Sequence, residues 1–226
     1  MDQRWVCHAG KRLADRTRRE RSVAPGDPAR ADAKVGGCAQ RFCWSTIGAE
    51  QVSAEIRRIT EKDIPSYHAC LDVVARERCY LVFLAAPPLE QSRAWIFPHI
   101  QQNHPYFVAT VGERVVGWCD ITPLEREGFT HRGTLGMGVH PDFRRQGIGA
   151  RLLRAALAHA EKMGLERVEL EVFASNQPAR RLYESFGFVV EGTLRRARKL
   201  DGQYDDLVLM ALLMPRRIDR APTASK

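Results

Sequence analysis

Apolar residues between positions 55 and 214 fall into short runs separated by longer segments with helical spacing. The clearest helix covers residues 148–163, where apolar side chains recur every three or four positions and Gly164 follows as a cap. Residues 60–63, from Thr60 to Asp63, are typical of a helix N-terminus, so a first helix is predicted over residues 60–78. Further helices are predicted over residues 89–102 and 178–186.

Short apolar runs between these helices predict seven strands. They cover residues 55–59, 105–110, 115–121, 135–139, 167–173, 188–194 and 207–213. Residues 111–114 contain Gly112 and predict a hairpin connection. Strands alternate with helices in the middle of the chain and pair directly towards both ends, so the pattern predicts an α/β fold built on a mixed sheet.

Hydrophobic residues in positions 1–54 show little periodicity. A charge run at residues 16–21 and helix breakers at residues 25–28 and 36–37 predict a disordered basic extension. A basic arm that binds nucleic acid and a transit peptide are the alternatives, although interleaved acids dilute the charge. The predicted organisation is therefore an extension (1–54), one domain (55–214) and a short tail (215–226).

Composition is ordinary for one globular domain, with 226 residues, 44% hydrophobic and 27% charged. The net charge of +8 is unevenly distributed: residues 1–54 carry ten Lys and Arg against six Asp and Glu, and the remainder carries 25 against 21. This mild excess in the body suits an anionic cofactor better than a nucleic-acid backbone. Six cysteines without a C-x-x-C pair predict free thiols in a reducing cytoplasm, no metal site is expected, and no apolar run is long enough to span a membrane.

The strongest chemical signal is Arg144-Arg145-Gln146-Gly147-Ile148-Gly149, between a predicted strand and the clearest predicted helix. Amides at a helix start attract phosphate, and glycine lets the backbone approach a pyrophosphate closely. The turn lacks the Lys-Ser/Thr pair of a Walker loop and the third glycine of a dinucleotide fingerprint. An arginine-rich surface turn is the alternative interpretation.

Two segments together give this turn a context. Residues 140–149 (HPDFRRQGIG) and 175–188 (SNQPARRLYESFGF) resemble the GCN5-related N-acetyltransferase (GNAT) family, whose signature is an R/Q-x-x-G-x-G/A turn followed by an Asn, a helical Leu-Tyr and a Gly-Phe. The resemblance covers roughly residues 55–214. It implies a mostly antiparallel central sheet flanked by helices, acetyl-CoA as co-substrate, acetyl transfer to an amine in a ternary complex, and a possible homodimer.

The resemblance also implies which residues contact the cofactor. Main-chain groups of the strand before the turn would pair with the pantetheine arm, and the turn would hold the pyrophosphate. The implied contacts are Met137, Gly138, Val139, Arg144, Arg145, Gln146, Gly147, Ile148, Gly149, Ala150, Asn176, Ala179 and Tyr183. Gly136 and Gly138 fit a close approach by another chain, and a β-bulge would explain them equally.

Two of these residues have alternative roles. Asn176 would cap the helix that follows it, in addition to the implied hydrogen bond to the pantetheine. Tyr183 would donate a proton to the departing thiolate, whereas an isolated tyrosine at this helical position would more often be a packed core residue.

The general base is less determined. Glu169 and Glu171 are two residues apart in a strand and hence on one face. A resemblance to ribosomal-protein N-terminal acetyltransferases around residues 171–176 implies that Glu171 accepts the amine proton. One alternative is that both carboxylates face the solvent-filled cleft or pair with arginines such as Arg167, and the other is a relay through water with no dedicated side-chain base.

The acceptor is indicated only by residues 191–194 and 201–206, which resemble bacterial family members that acetylate amino acids. The expected acceptor is therefore a small-molecule amine of the amino-acid type. A peptide or protein N-terminus, an aminoacyl-tRNA, and a non-catalytic acyl-CoA sensor remain alternatives, and neither a membrane nor a nucleic acid is an expected partner.

Overall fold

The computed structural model of the protein describes residues 54–214. The predicted extension and tail lie outside this range, except for Ala54, which is buried in the core. The strands are β1 (Glu55–Arg58), β2 (Tyr106–Val111), β3 (Arg114–Pro123), β4 (Arg132–Val139), β5 (Arg167–Phe173), β6 (Val189–Leu200) and β7 (Gln203–Leu213). The helices are α1 (Ile64–Arg76), α2 (Leu89–Gln101), α3 (Ile148–Lys162) and α4 (Gln177–Ser185), with short 3-10 turns at Glu61–Asp63 and Pro141–Phe143.

Within the described residues the strands form one sheet in the order β1-β2-β3-β4-β5-β7-β6. Five of the six neighbouring pairs are antiparallel, and only β4 and β5 run parallel, joined through α3. The predicted mixed, mostly antiparallel sheet is therefore confirmed. No helix in residues 54–214 combines the length and apolar character needed to cross a membrane.

The sheet separates two hydrophobic clusters. One cluster lies on the face covered by α3 and α4, where Leu152, Leu153 and Ala156 of α3 are completely buried. The second lies on the opposite face beneath α1 and α2 and includes Tyr67, Tyr106 and Trp118. Because side chains alternate along a strand, β2 and β3 present one set of residues to each cluster.

The start of the first helical segment agrees with its prediction. Asp63 accepts hydrogen bonds from the backbone amide and the hydroxyl of Thr60 at 2.8 and 2.7 Å. Arg57 of β1 donates two more to the same carboxylate, each at 2.7 Å. These contacts fix α1 against β1 and thereby set the position of Tyr67 over the sheet.

The last two strands are longer than predicted. β6 continues to Leu200 and β7 begins at Gln203, because Arg195–Lys199 form an exposed edge hairpin with no apolar alternation to reveal it. Asp201 and Gly202 make the connecting turn with φ angles of 49° and 80°. An Asp-Gly pair is a strong hairpin signal, so this turn was readable even though its flanking strands were not.

Candidate active site

A gap between the two parallel strands defines the site. β4 and β5 pair only from Arg132–Arg167 to Thr134–Glu169, whereas β4 continues to pair with β3 as far as Val139. The edge of β4 that faces β5 is therefore without a strand partner beyond Thr134. An extended ligand arm could hydrogen bond along this edge in the manner of an additional strand.

The phosphate turn closes one end of the gap. Arg145 and Gly147 have positive φ angles of 62° and 76°, and α3 begins at Ile148 without a side-chain cap at Gly147. The first amides of an α-helix have no acceptor within the helix, so those of Ile148, Gly149 and Ala150 are suited to an anion. The dipole of α3 adds partial positive charge at the same point.

The structure gives different reasons for a glycine at each of the two positions in the turn. A Cβ on Gly147 would meet no atom within 4 Å, so this backbone is open to a ligand. A Cβ on Gly149 would lie 3.3 Å from Leu182 and 3.5 Å from Met137. Gly149 therefore has a packing reason of its own, because it allows α3 to lie close to α4 and β4, and its role in phosphate approach stays a prediction.

Arg144 is already engaged by the protein. Its guanidinium pairs with both carboxylate oxygens of Glu77, one at 2.7 Å, and its Nε donates to the Val139 carbonyl at 2.9 Å. The guanidinium also lies 4.9 Å from the centre of the Tyr80 ring. Arg144 therefore ties the turn to the end of α1, and the side chains of Arg145 and Gln146 are the ones at the turn that are exposed to solvent.

The glycines of β4 do not leave open space on the α1 face. A Cβ on Gly138 would lie 2.3 Å from the Trp118 ring, and one on Gly136 would lie 3.1 Å from a carboxylate oxygen of Asp120. Both neighbours come from β3, directly across the ladder. The expected reason for these glycines, approach by another chain, is corrected: they accommodate Trp118 and Asp120.

Asn176 and Tyr183 lie on the other side of the gap. The Asn176 side chain accepts a hydrogen bond from the Ala179 amide at 3.3 Å, so the predicted helix cap is present. Tyr183 is 6% exposed and its ring lies 5.7 Å from that of Phe188. Burial, with a smaller effect of Cys119, raises the pKa of Tyr183. The phenol therefore stays protonated at neutral pH while its ring packs in the core.

The two glutamates of β5 differ in their surroundings. Glu169 accepts hydrogen bonds from Arg132, with both oxygens at 2.7 Å, and from Arg167 at 3.1 Å. No ion pair or hydrogen bond reaches the Glu171 side chain within residues 54–214. Pairing with arginine, one of the two alternatives for both carboxylates, therefore holds for Glu169 and leaves Glu171 unpaired.

Sequence reasoning missed Asp120. It lies in the middle of β3 on the α1 face, is partly exposed, and accepts a hydrogen bond from Thr122. Burial raises its pKa to about 7. The available signal was a single acid inside the apolar run of residues 115–121, which a central strand seldom contains without a purpose.

Comparisons with known proteins agree with this geometry. The Acetyltransferase (GNAT) family model matches residues 70–188, more than half of the chain. The chain is 28% identical over 158 residues to the L-amino acid N-acetyltransferase AaaT of Escherichia coli K12, covering 68% of this chain and 95% of that protein. It is 45% identical over 137 residues to the [ribosomal protein bS18]-alanine N-acetyltransferase of the same strain, covering 57% and 88%.

Solved structures give the same result. The ribosomal-protein-alanine N-acetyltransferase of Brucella melitensis superimposes with a TM-score of 0.66 at 27% identity, covering 71% of this chain and 99% of that one. The yncA acetyltransferase of Salmonella typhimurium, solved with acetyl-CoA, gives a TM-score of 0.68 at 20% identity, covering 76% and 99%. With the open β4 edge, the anion-binding turn and these matches, the chain belongs to the GNAT acetyltransferase family and is an acetyl-CoA-dependent N-acetyltransferase.

Proposed function

We propose that the acceptor is a small primary amine, an amino acid or a similar compound, which attacks the acetyl thioester directly in a ternary complex. The amine nitrogen forms a bond to the carbonyl carbon while the bond from carbon to sulfur breaks. The nitrogen loses its surplus protons and the departing thiolate gains one. These transfers need a proton acceptor and a proton donor on opposite sides of the reacting carbon.

The observation that carries this proposal is the set of contacts that close the acceptor face. Glu77, at the end of α1, is paired with Arg144 of the phosphate turn. The next residue, Arg78, pairs with Asp201 at the tip of the β6–β7 hairpin at 3.0 Å, and its carbonyl accepts from Arg198. The segment after α1 is thus tied both to the turn and to the hairpin, and a segment held across this end of the site would suit a small acceptor better than a peptide that must extend outward.

The share of each relative's length that is matched favours the same class of acceptor. AaaT and the L-amino acid N-acyltransferase MnaT of E. coli are both named for amino-acid acceptors, and the match to AaaT covers 95% of its length. A second candidate rests on the higher identity, 45%, to the bS18-alanine N-acetyltransferase. In that case the acceptor would be the N-terminal amine of a protein.

We assign roles to the site residues on the geometry above. The amides of Gly147, Ile148, Gly149 and Ala150, with Arg145 and Gln146, hold the pyrophosphate. The β4 edge at Met137, Gly138 and Val139, with Asn176 and Ala179, lies along the pantetheine. Tyr183, protonated at neutral pH, gives its proton to the thiolate. Glu171, unpaired and on the acceptor face, accepts a proton from the amine.

The acceptor class is tested by measuring thiol release from acetyl-CoA over a panel. The panel holds the L-amino acids, small primary amines without a carboxylate, and a peptide with an N-terminal alanine. We expect the highest kcat/KM with a member of the first two groups. A peptide that exceeds every small amine would replace the proposal with its second candidate.

Gly147→Val should weaken acetyl-CoA binding at least tenfold, because a branched side chain would stand where the pyrophosphate approaches the turn. Gly164→Val is the matched control, since Gly164 also has a positive φ, 83°, and open space around its Cβ position. Both variants carry similar backbone strain, but only the first should lose affinity in calorimetry. Equal affinities in the two folded variants would remove this turn from the cofactor site.

Tyr183→Phe should lower turnover by about tenfold to a thousandfold with little change in acetyl-CoA affinity, the usual range for losing a positioned acid. The ring contact with Phe188 is retained, so the melting temperature should stay close to that of the wild type. Single-turnover kinetics are the appropriate measurement, because they isolate the chemical step. An unchanged rate there would leave Tyr183 with its packing role alone.

Glu171→Gln should lower turnover most at low pH and recover partly as pH rises, because solvent then accepts the proton more readily. Glu169→Gln is the neighbouring comparison. It should mainly reduce stability, since Arg132 and Arg167 would lose a shared partner. The pH dependence of kcat between pH 6 and 9 distinguishes the two. A larger effect of Glu169→Gln would move the base to that residue, and two silent variants would favour a water relay.

A further inference from the structure

The acceptor face contains a row of residues of which the assignments above use only Glu171. Tyr106 of β2 lies directly across from Asp120 of β3, and Asp120 lies directly across from Gly136 of β4. The pairing of β4 with β5 ends at Thr134 and Glu169, and Gly136 and Glu171 are each two residues beyond that pair on the same face of their strands. The row therefore runs from a tyrosine through a carboxylate and a glycine to a second carboxylate.

The spacing of this row leaves room for one small cation. Adjacent strands lie about 4.8 Å apart, so the backbones at Asp120 and Glu171 are about 10 Å apart, or somewhat more because β4 and β5 diverge. Gly136 contributes no side chain to the space between them. The Asp120 carboxylate lies over Gly136, 3.1 Å from the position of a Cβ there, and so leans from β3 towards β5.

The surroundings of Asp120 offer it no cation. The titratable groups that interact with its carboxylate are Tyr67 of α1, Tyr106 of β2 and Cys119 on the other face of β3. The residue of β4 directly opposite Asp120 is Gly136, which has no side chain. Two arginines lie on this face, Arg132 of β4 and Arg167 of β5, and both are paired with Glu169. No cation within residues 54–214 therefore compensates an ionised Asp120.

A second, independent observation points to a ligand at this place. Tyr106 is 2% exposed, and its hydroxyl has no hydrogen bond of good geometry within residues 54–214, although it approaches that of Tyr67. The contact with Tyr67 uses only part of the hydrogen-bonding capacity of this hydroxyl, and buried polar groups are normally hydrogen-bonded. It lies beside Asp120 in the same row, so a polar group bound there would satisfy both.

Asp120 also lowers the stability of the protein. Its pKa is about 7 in the fold against an ordinary value of 3.8. Between these values the unfolded chain loses a proton that the folded chain keeps, so the contribution of Asp120 to stability falls as pH rises from about 4 to about 7 and then stays constant. A carboxylate placed at such a cost in a central strand indicates use in binding or chemistry.

We infer that Asp120 is a second carboxylate of the acceptor site, which binds the ammonium form of the amine and accepts its first proton. The inference rests on the proposed function, because it requires a cationic amine in the cleft. The ammonium nitrogen carries three protons and the amide product carries one, so two must leave. Asp120 takes the first, which gives the neutral nucleophile, and Glu171 takes the second once the bond from nitrogen to carbon forms.

The proton count balances with the roles already given. Tyr183 gives one proton to the thiolate and is reprotonated by one of the two that left nitrogen, and the other reaches solvent. The burial that disfavours ionised Asp120 also favours transfer, because a neutral acid beside a neutral amine is better accommodated there than an ion pair. Asp120 thus prepares the acceptor, and Glu171 completes the transfer.

The test compares two acceptors that differ in protonation. The first is the best amine of the panel, largely protonated at pH 7. The second is its analogue with fluorine substituted beside the amine carbon, which lowers the amine pKa so that the acceptor is neutral. Asp120→Asn should lower kcat/KM about 100-fold for the first and less than tenfold for the second. The KM for acetyl-CoA should not change.

Two further variants show whether the loss of activity in Asp120→Asn comes from deprotonation of the acceptor. Glu171→Gln should affect both acceptors equally, because the second proton leaves after attack in either case. Glu90→Gln, on the exposed surface of α2, should affect neither. Equal losses for the two amines in Asp120→Asn would overturn the inference, because a packing or general electrostatic role does not depend on the protonation of the acceptor.

A wrong acceptor class and a wrong role for Asp120 give different experimental results. A wild type that acetylates no amine of the panel contradicts that class, and ¹³C NMR of labelled aspartate then decides the inference. The carboxyl resonance missing from Asp120→Asn should titrate near pH 7 in the complex with CoA, and its midpoint should fall when ethylamine is added to saturation. A midpoint that does not move would overturn the role of Asp120.

Discussion

The separation of β4 from β5 is the constraint on which the rest of the structure depends. The two strands pair through Thr134 and Glu169 and then part, which leaves backbone groups of β4 without a strand partner. Unpaired backbone groups inside a fold are costly unless a ligand or water satisfies them. Under the proposed function acetyl-CoA would satisfy these groups, so that the gap which weakens the sheet would also bind the cofactor. α3 begins at Ile148, and its first amides have no acceptor within the helix.

Packing on the α3 face makes the gap tolerable. The α3 helix is buried along its whole apolar stripe, and Gly149 permits close contact with Leu182 and Met137. Tyr183 and Phe188 extend this core beneath the gap. The hydrophobic cluster therefore holds β4 and β5 on a common support where their own hydrogen bonds have ended. Tyr183 can serve in both packing and proton donation because only its hydroxyl is needed for chemistry.

The opposite face combines the hydrophobic cluster beneath α1 and α2 with a set of charged residues. Glu169 is neutralised by two arginines and stabilises the sheet, whereas Asp120 has no cation and Glu171 has no partner in the described residues. The three carboxylates, one on β3 and two on β5, thus divide into one structural group and two that are available to an acceptor under the proposed function. The ion pairs of Glu77 with Arg144 and of Arg78 with Asp201 hold the segment that follows α1. Exposed pairs of this kind contribute little stability individually, so their importance is in where they hold the chain.

The sequence by itself predicted the fold class, nearly all element positions, the glycine-containing turn before α3, the helix cap at Asn176 and the helical position of Tyr183, whereas anion binding at the turn stays a prediction. These follow from local rules: hydrophobic period, helix-start chemistry and a motif of fixed spacing. Only the tertiary structure decided what lies across the strands. It placed Asp120 opposite Gly136, gave Glu169 rather than Glu171 to the arginines, and committed Arg144 to Glu77. Cross-strand register and contacts between residues as far apart as 77 and 144 are set by packing of the whole domain, and no local pattern encodes them.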